Sequence, residues 1–478
     1  MPVRPATTIC LYKQIVLCIE LCMPKPAIDR HHLAAVPARS RVIHYFSIVV
    51  NIQICLIQRG SMKSCPSVDL FVQADHCPPP LNPSYLHPMF PTQHARSLTP
   101  GCLHILHFNS CGSSLMPTPV LEAVKAHLDL EARIGGYEAA ADAMPKWERA
   151  YDAIATMLNC KREEVGITEN ASRAWDLAFH AIPMKAGDRI LTAHAEYVSN
   201  WLAFLLVRQR TGCTVELVPD DEHGQVDLEA LRRMMDERVK LVALTHVPSS
   251  NGLINPAEEV GEIVRGSNAL YLLDACQSVG QLPLDVQAIG CDLLSATGRK
   301  FLRGPRGTGF LYVKRDVLDR LEPVFIEHQS ASWDSRDSFT WRPDARRFET
   351  WEKSYANVIG LAEAVDHALH WGLDPIAERV QDLAAMLRAA LDDLPGVATH
   401  DLGRHKSGIV TFTVEGQDPM AIMKRLAEQR ISVTVGRKEI ARLDLEHRGL
   451  NKVVRASTHY FNTEEEVERF VAAIGVMR

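Results

Sequence analysis

Between residues 164 and 297, short runs of apolar and β-branched residues alternate with longer stretches in which apolar positions recur at helical spacing. EVGIT (164–168), DRILTA (188–193), TVELVP (214–219), VKLVALTHV (239–247), ALYLLDA (269–275) and CDLLSAT (291–297) read as buried strands. Their nearly unbroken apolar character suits strands covered on both faces. Between them, WLAFLLVRQRTG and DLEALRRMMDER read as helices, the first closing at Gly212 as a C-terminal stop. The alternation predicts an α/β large domain over residues 107–345, a mostly parallel sheet sandwiched by helices. Any ligand then belongs at the carboxyl ends of the strands. After residue 345 the pattern becomes two long helices, YANVIGLAEAVDHALHWGL and IAERVQDLAAMLRAALDDL. The short strands SGIVTFTVEG, ISVTVG and VVRAST follow, and a last helix starts at Glu464. That grouping predicts a smaller α+β domain over residues 346–478.

The first hundred residues differ. They hold four acidic residues (Glu20, Asp29, Asp69, Asp75), interrupted apolar runs such as FSIVVNIQICLI, and the turn-rich HCPPPLNPSYLHPMFP. No run reaches the roughly 20 apolar residues that span a bilayer. Lys13 and Glu20 break a signal-peptide reading, and the prolines oppose a leader helix. Residues 1–100 are therefore expected to form a poorly structured extension, with Met89 a candidate natural start.

The 478 residues are 46% apolar and 23% charged, with net charge −6 and a pI near 6.4. Lysine and arginine form no stripe, so no nucleic-acid partner is expected, and the apolar runs call for no membrane. Six of the twelve cysteines precede residue 100 and the rest lack paired metal-ligand spacing, which suits a reducing cytoplasm.

Three strand ends carry chemistry. TENAS (168–172) follows a strand and opens a helix, so the N–H groups of Ala171 and Ser172 can face an anion. LLDACQ puts Asp274 at the end of an apolar strand, and SATGRK ends another with Thr297, Arg299 and Lys300. Each has an ordinary reading: a solvated lysine, a helix-capping aspartate, an N-cap. Together they are a carboxylate, an amine and an anion cradle at neighbouring strand ends, the set pyridoxal 5′-phosphate requires.

At these residues the chain resembles the class V aminotransferase group of fold-type I pyridoxal phosphate enzymes over residues 107–478. The motifs are IGGYEAA, TENAS, AEYVSN, THVPSSNGLINP, LLDACQSVG, SATGRKFLRGPRGTGFLYV and VRASTHYFNTEEEV. The resemblance implies a homodimer acting on a small amino-acid substrate. It makes Lys300 the Schiff-base lysine, Asp274 the partner of the ring nitrogen, and Gln277 the neighbour of the phenolic oxygen. Ala171, Ser172 and Thr297 would hold the phosphate, with Arg299 in place of the family's more usual histidine. Arg455 would pair with the substrate carboxylate, a role its planar fork suits.

The chain departs from the desulfurases of this group. Where a stacking histidine stands in them, AEYVSN offers Tyr197 and then Val198; the asparagine that approaches the cofactor oxygen corresponds to Ser249 or Ser250. The position five residues after the arginine, expected to carry the nucleophilic cysteine, is Tyr460. Cys276 and Cys291 read as packing residues. In RFETWEKS, Glu352 or Thr350 falls where a residue crosses toward the neighbouring subunit's phosphate, and Glu349 reads as a structural ion pair. Trp175, Trp201 and Trp351 read as core or pocket lining, and Arg303 and Arg306 carry no assigned role. Without a relay thiol, a desulfurase that hands sulfur to a protein partner is not expected. EARIGGYEAAADA and AEYVSNW, with the Gly-Arg-Lys form of the lysine motif, resemble the branch containing hercynylcysteine sulfoxide lyases, selenocysteine lyase-like and isopenicillin N epimerase-like proteins. That resemblance implies carbon–sulfur cleavage of an S-substituted cysteine. An aminotransferase or epimerase is the alternative, and a non-catalytic binding protein the remote one.

Overall fold

The computed structural model describes residues 90–477. The reading of residues 1–89 as an extension lies outside the described residues. The stretch from 90 to 100, assigned to that extension, is folded: Thr92–Ser97 is helical, and Arg96 pairs with Glu466 at 2.8 Å.

Seven strands form the main sheet: β1 (Val165–Thr168), β2 (Arg189–Thr192), β3 (Thr214–Leu217), β4 (Val239–Thr245), β5 (Leu270–Asp274), β6 (Leu293–Thr297) and β7 (Gly309–Val313). Their spatial order is β1-β7-β6-β5-β4-β2-β3. Strands β2 to β6 pair in parallel, while β7 runs antiparallel to both β6 and β1. β5 is apolar up to Asp274 because both of its faces are covered. Tyr271 and Leu273 enter the core cluster on one side, and Leu270 and Leu272 the cluster on the other.

The first cluster packs under α1 (Thr118–Ile134), α2 (Gly136–Leu158) and, later in the chain, the helix Tyr355–Trp371. The second packs under α3 (Ala171–His180) and α4 (Val198–Thr211), where Trp175, Phe179 and Phe204 meet at centroid distances of 4.7 to 5.3 Å. Each such fully buried ring contributes about 1.5–3 kcal/mol of burial. α4 ends where glycine permits a left-handed residue, Gly212 at φ 77°. The helix expected across DLEALRRMMDER is shorter, Leu228–Met234.

The smaller lobe has a four-stranded antiparallel sheet: β8 (Val397–Thr399), β9 (Ile409–Val414), β10 (Thr434–Arg437) and β11 (Lys452–Ser457), in the order β8-β9-β11-β10. The helices Leu373–Asp392 and Glu464–Gly475 share its core through Leu387, Phe412, Val454 and Phe470. The latter helix starts with a capping box, Thr463 with Glu466. Leu106–His107, expected at the start of the large domain, pairs instead with Ile431–Ser432, and Asn109 bridges to Ser457. No helix among the described residues is long and apolar enough to cross a membrane.

Candidate active site

The last residues of β4, β5 and β6 (Thr245, Asp274 and Thr297) line one cavity of about 320 Å³. Lys300 lies three residues beyond β6, and Cys276 and Gln277 on the turn after β5. Ala171 and Ser172 open α3, while Ser249, Ser250, Ala441 and Asp444 close another wall. Sheet topology thus gathers nine of the ten residues singled out in the sequence: Ala171, Ser172, Tyr197, Ser249, Asp274, Gln277, Thr297, Arg299 and Lys300.

Arg455 is the tenth. It stands behind the wall, donating from Nη1 to the Ser249 carbonyl at 3.0 Å, and its buried Nε has no partner.

Asp274 is buried. Its Oδ1 accepts from the Cys276 N–H at 2.9 Å and its Oδ2 from Asn200 Nδ2 at 3.0 Å. Among the described residues it forms no ion pair, so a buried carboxylate is left ready for a cation or a charged N–H donor. Gln277 Nε2 donates to the Cys111 carbonyl at 3.1 Å and leaves Oε1 buried without a partner. At the mouth of α3, Asn170 caps the Arg173 N–H, and the N–H groups of Ala171 and Ser172 remain at the open end of a ten-residue helix. Lys300 Nζ donates to Cys276 Sγ at 3.1 Å. These groups fit pyridoxal 5′-phosphate in ring nitrogen, ring oxygen, phosphate and aldehyde alike.

Other contacts refine the set. The Thr297 hydroxyl donates to the Thr308 carbonyl at 3.1 Å, so it would reach a phosphate only by changing partner. Arg299 Nη1 is bonded to the Gly112 carbonyl. Tyr197 is 36% exposed and stacks on no ring among the described residues. Arg306 lines the cavity, whereas Arg303 is fully buried elsewhere.

Tyr460, the position compared with the relay cysteine, does not line the cavity: it is buried in the core, accepting from Arg303 Nη1 at 2.6 Å. One expectation is corrected. Cys276 is more than packing: it is the one cysteine lining the cavity among the described residues, and burial pushes its thiol upward. Cys291 is buried in the core, as expected, and its thiol is driven above the ordinary range by the same cause. Glu349 takes the structural role foreseen, pairing with Lys353 and accepting from Ile167 N at 2.8 Å and Tyr151 Oη at 3.0 Å. Neither Thr350 nor Glu352 lines the cavity; Trp175 is core and Trp351 is exposed.

The sequence reading passed over Glu196, Asn200, Thr245 and Asp444, which also line the cavity. Glu196 lies in the turn before α4 and Asn200 in its first turn. A carboxylate and an amide close behind an apolar strand end were the only local signal.

Fold and site together define a fold-type I pyridoxal 5′-phosphate enzyme. The chain belongs to the class-V aminotransferase family, which it matches over residues 106–470. It is 29% identical over 369 residues to a probable cysteine desulfurase of Methanothermobacter thermautotrophicus, covering 76% of this chain and 92% of the relative. A cysteine desulfurase of Synechococcus elongatus is 30% identical over 377 residues, covering 77% of this chain and 60% of the other. Among solved structures, the cysteine desulfurase of Thermococcus onnurineus NA1 superposes with TM-score 0.75 at 29% identity, covering 80% of this chain and 97% of that one. A cystine C–S lyase, solved with its product cysteine persulfide, gives TM-score 0.72 at 25% identity, covering 79% and 99%.

Proposed function

We propose that the chain is a carbon–sulfur lyase that cleaves an S-substituted cysteine, of the hercynylcysteine sulfoxide type, to pyruvate, ammonia and a sulfur product. The carrying observation is the cavity wall supplied by the smaller lobe. It presents Ala441 and Asp444, and residues 437–447 contain no cysteine. A thiol able to take sulfur from a substrate is missing from that side. Cys276, on the opposite strand-end turn, is occupied with Lys300 and held protonated by burial.

In this reading Asp274 holds the ring nitrogen and Gln277 the ring oxygen, with Ser249 and Tyr197 beside them. Ala171, Ser172, Thr297 and Arg299 hold the phosphate. Bound there, the cofactor supplies an electron sink for the substrate's α-carbon. Lys300 Nζ takes the α-proton, the Cβ–S bond breaks with its electron pair leaving on sulfur, and the released enamine adds water to give pyruvate and ammonia. Arg455 orients the substrate carboxylate by swinging a guanidinium nitrogen from the Ser249 carbonyl.

The purified enzyme, supplied with S-substituted cysteines, is expected to release pyruvate and ammonia in equal amounts, and Lys300→Ala to release neither. Alanine formed from cysteine would instead identify a desulfurase, and a keto acid with the aminated cofactor an aminotransferase; either result overturns the lyase reading. We also infer a homodimer, supported by the exposed stripe Leu202, Leu205 and Leu206 on α4. Light scattering should then give twice the 53.3 kDa chain mass.

A further inference from the structure

Glu196 is the most enclosed acid of the site. It lines the cavity, is 6% exposed, and is surrounded by donors. Oε1 accepts from the Tyr197 N–H at 2.8 Å, from Asn200 Nδ2 at 2.8 Å and from the Thr245 hydroxyl, while Oε2 accepts from the Thr192 hydroxyl at 2.9 Å. The two threonines come from β2 and β4, so the carboxylate also ties α4 to the ends of two strands. No lysine, arginine or histidine pairs with Glu196 among the described residues.

Four donors on a carboxylate that faces no cation is more than helix capping requires. Asn200 Nδ2 explains the arrangement, because it divides its protons between Glu196 Oε1 and Asp274 Oδ2. An amide nitrogen has two protons, and here each goes to a carboxylate. Glu196 therefore fixes the orientation of the Asn200 amide, which could otherwise turn its oxygen toward Asp274.

We propose that Glu196 is a positioning residue for the cofactor: through Asn200 it holds Asp274 Oδ2 in place and adds a second negative charge beneath the ring nitrogen. The inference rests on the reading of Asp274 as that nitrogen's partner. Two buried carboxylates sharing one amide favour a cation between them and disfavour each other's charge when it is absent. In agreement, burial and then the Asp274 charge push the Glu196 carboxyl up to about 7, against the pull of its hydrogen bonds. A positively charged ring nitrogen at Asp274 relieves that conflict.

The test compares Glu196→Gln, Asn200→Ala, their double variant and Asp274→Asn in the full chain, with pyridoxal 5′-phosphate as the probe. Binding is measured by equilibrium dialysis, and the bound cofactor by its visible absorption and circular dichroism. Glu196→Gln is expected to weaken retention roughly tenfold and to shift the visible band. The cofactor-free thermal midpoint should stay near that of the parent, since the glutamine oxygen still accepts from Tyr197, Asn200 and Thr245 and the variant removes the charge alone. The effects of Glu196→Gln and Asn200→Ala should be strongly non-additive, because the charge removed at Glu196 acts on Asp274 through the Asn200 amide. A parent-like dissociation constant and spectrum in Glu196→Gln overturn the proposal, as do fully additive effects. If Asp274→Asn also binds as the parent does, the role of Asp274 fails with it. If Asp274→Asn alone is impaired, only the role of Glu196 fails.

Discussion

Arg303 and Tyr460 decide, at the scale of single residues, what the charge-rich turn after Lys300 is for. Arg303 is 1% exposed and has no carboxylate partner among the described residues. It donates to the Leu115 carbonyl at 2.9 Å, to Thr99 Oγ1 at 2.6 Å and to Tyr460 Oη at 2.6 Å, and lies over the rings of Tyr460 and Phe461. A buried guanidinium in this state depends on every acceptor. Tyr460→Phe removes one of them without opening a cavity, and should cost about 1–3 kcal/mol, read by denaturant unfolding. Because Tyr460 is outside the cavity, cofactor affinity should stay as in the parent. A parent-like stability with lost cofactor would place Tyr460 in the active site instead. The turn therefore has two separate tasks: Lys300 faces the cavity, and Arg303 anchors residues 99–115 and the smaller lobe to it.

At the scale of elements, the site depends on how closely β7 and the start of α3 approach. A Cβ built on Gly309, the first residue of β7, would lie 2.6 Å from the Asn170 backbone carbon and 2.7 Å from the Ala296 carbonyl oxygen. Both are main-chain atoms, so neither can yield by a side-chain rotation. Gly309→Ala should push the N-terminus of α3 away from β6, weakening pyridoxal 5′-phosphate binding roughly tenfold or more while the far lobe stays folded. Dialysis and far-ultraviolet dichroism read the two effects, and unchanged affinity would refute this account of the anion cradle. Five of the six strand runs were legible because burial on both faces demands apolar residues throughout, and Asp274 and Lys300 were legible as exceptions to that demand; the sixth, Thr214–Leu217, read as buried, is an edge strand only partly covered. β7 carries the apolar run FLYV, but its antiparallel direction is a matter of how RGPRGTG folds back, which apolar pattern does not encode. Cys276 was misjudged because an apolar neighbourhood looks the same whether it faces core or cavity. Glu196 and Asn200 were missed because their meaning lies in a contact with Asp274, 74 positions away for Asn200, which no local spacing reports.

For the molecule as a whole, buried imidazoles set the response to acid. Burial lowers His107, His246 and His367 from the ordinary 6.5 to about 4, and drives His459 well below its usual range. His459 shows the cause in its contacts. The Tyr460 N–H donates to Nδ1 at 2.9 Å and Nε2 meets the Phe301 carbonyl at 2.9 Å, so both nitrogens are satisfied by the neutral ring and a second proton has no acceptor. Trp371 likewise donates to His367 Nε2 at 3.0 Å. Their folded values lie below the unfolded one, so between about 6.5 and about 4 the unfolded chain binds more protons. The stability they contribute is complete above 6.5 and is lost as pH falls through that window. Glu196 acts in the opposite sense, since its carboxyl is raised from 4.5 to about 7 and the folded state there holds the extra proton. Burial raises Asp176, Asp292 and Asp444 likewise, and Asp220 raises His194. Against these stand the lowered imidazoles, His180 and His400 among them, and carboxylates such as Glu216, Asp236 and Glu464 that arginine partners lower, so the net slope of stability with pH is positive. Denaturant unfolding of the cofactor-free protein from pH 7 to pH 4 should show a loss on the order of several kcal/mol, at about 1.4 kcal/mol per proton and pH unit. Using cofactor-free protein keeps loss of pyridoxal 5′-phosphate out of the measurement. A flat profile across that range would mean that these rings reach solvent in the folded state, and would remove the packing that ties His459 to the Lys300 turn through Phe301.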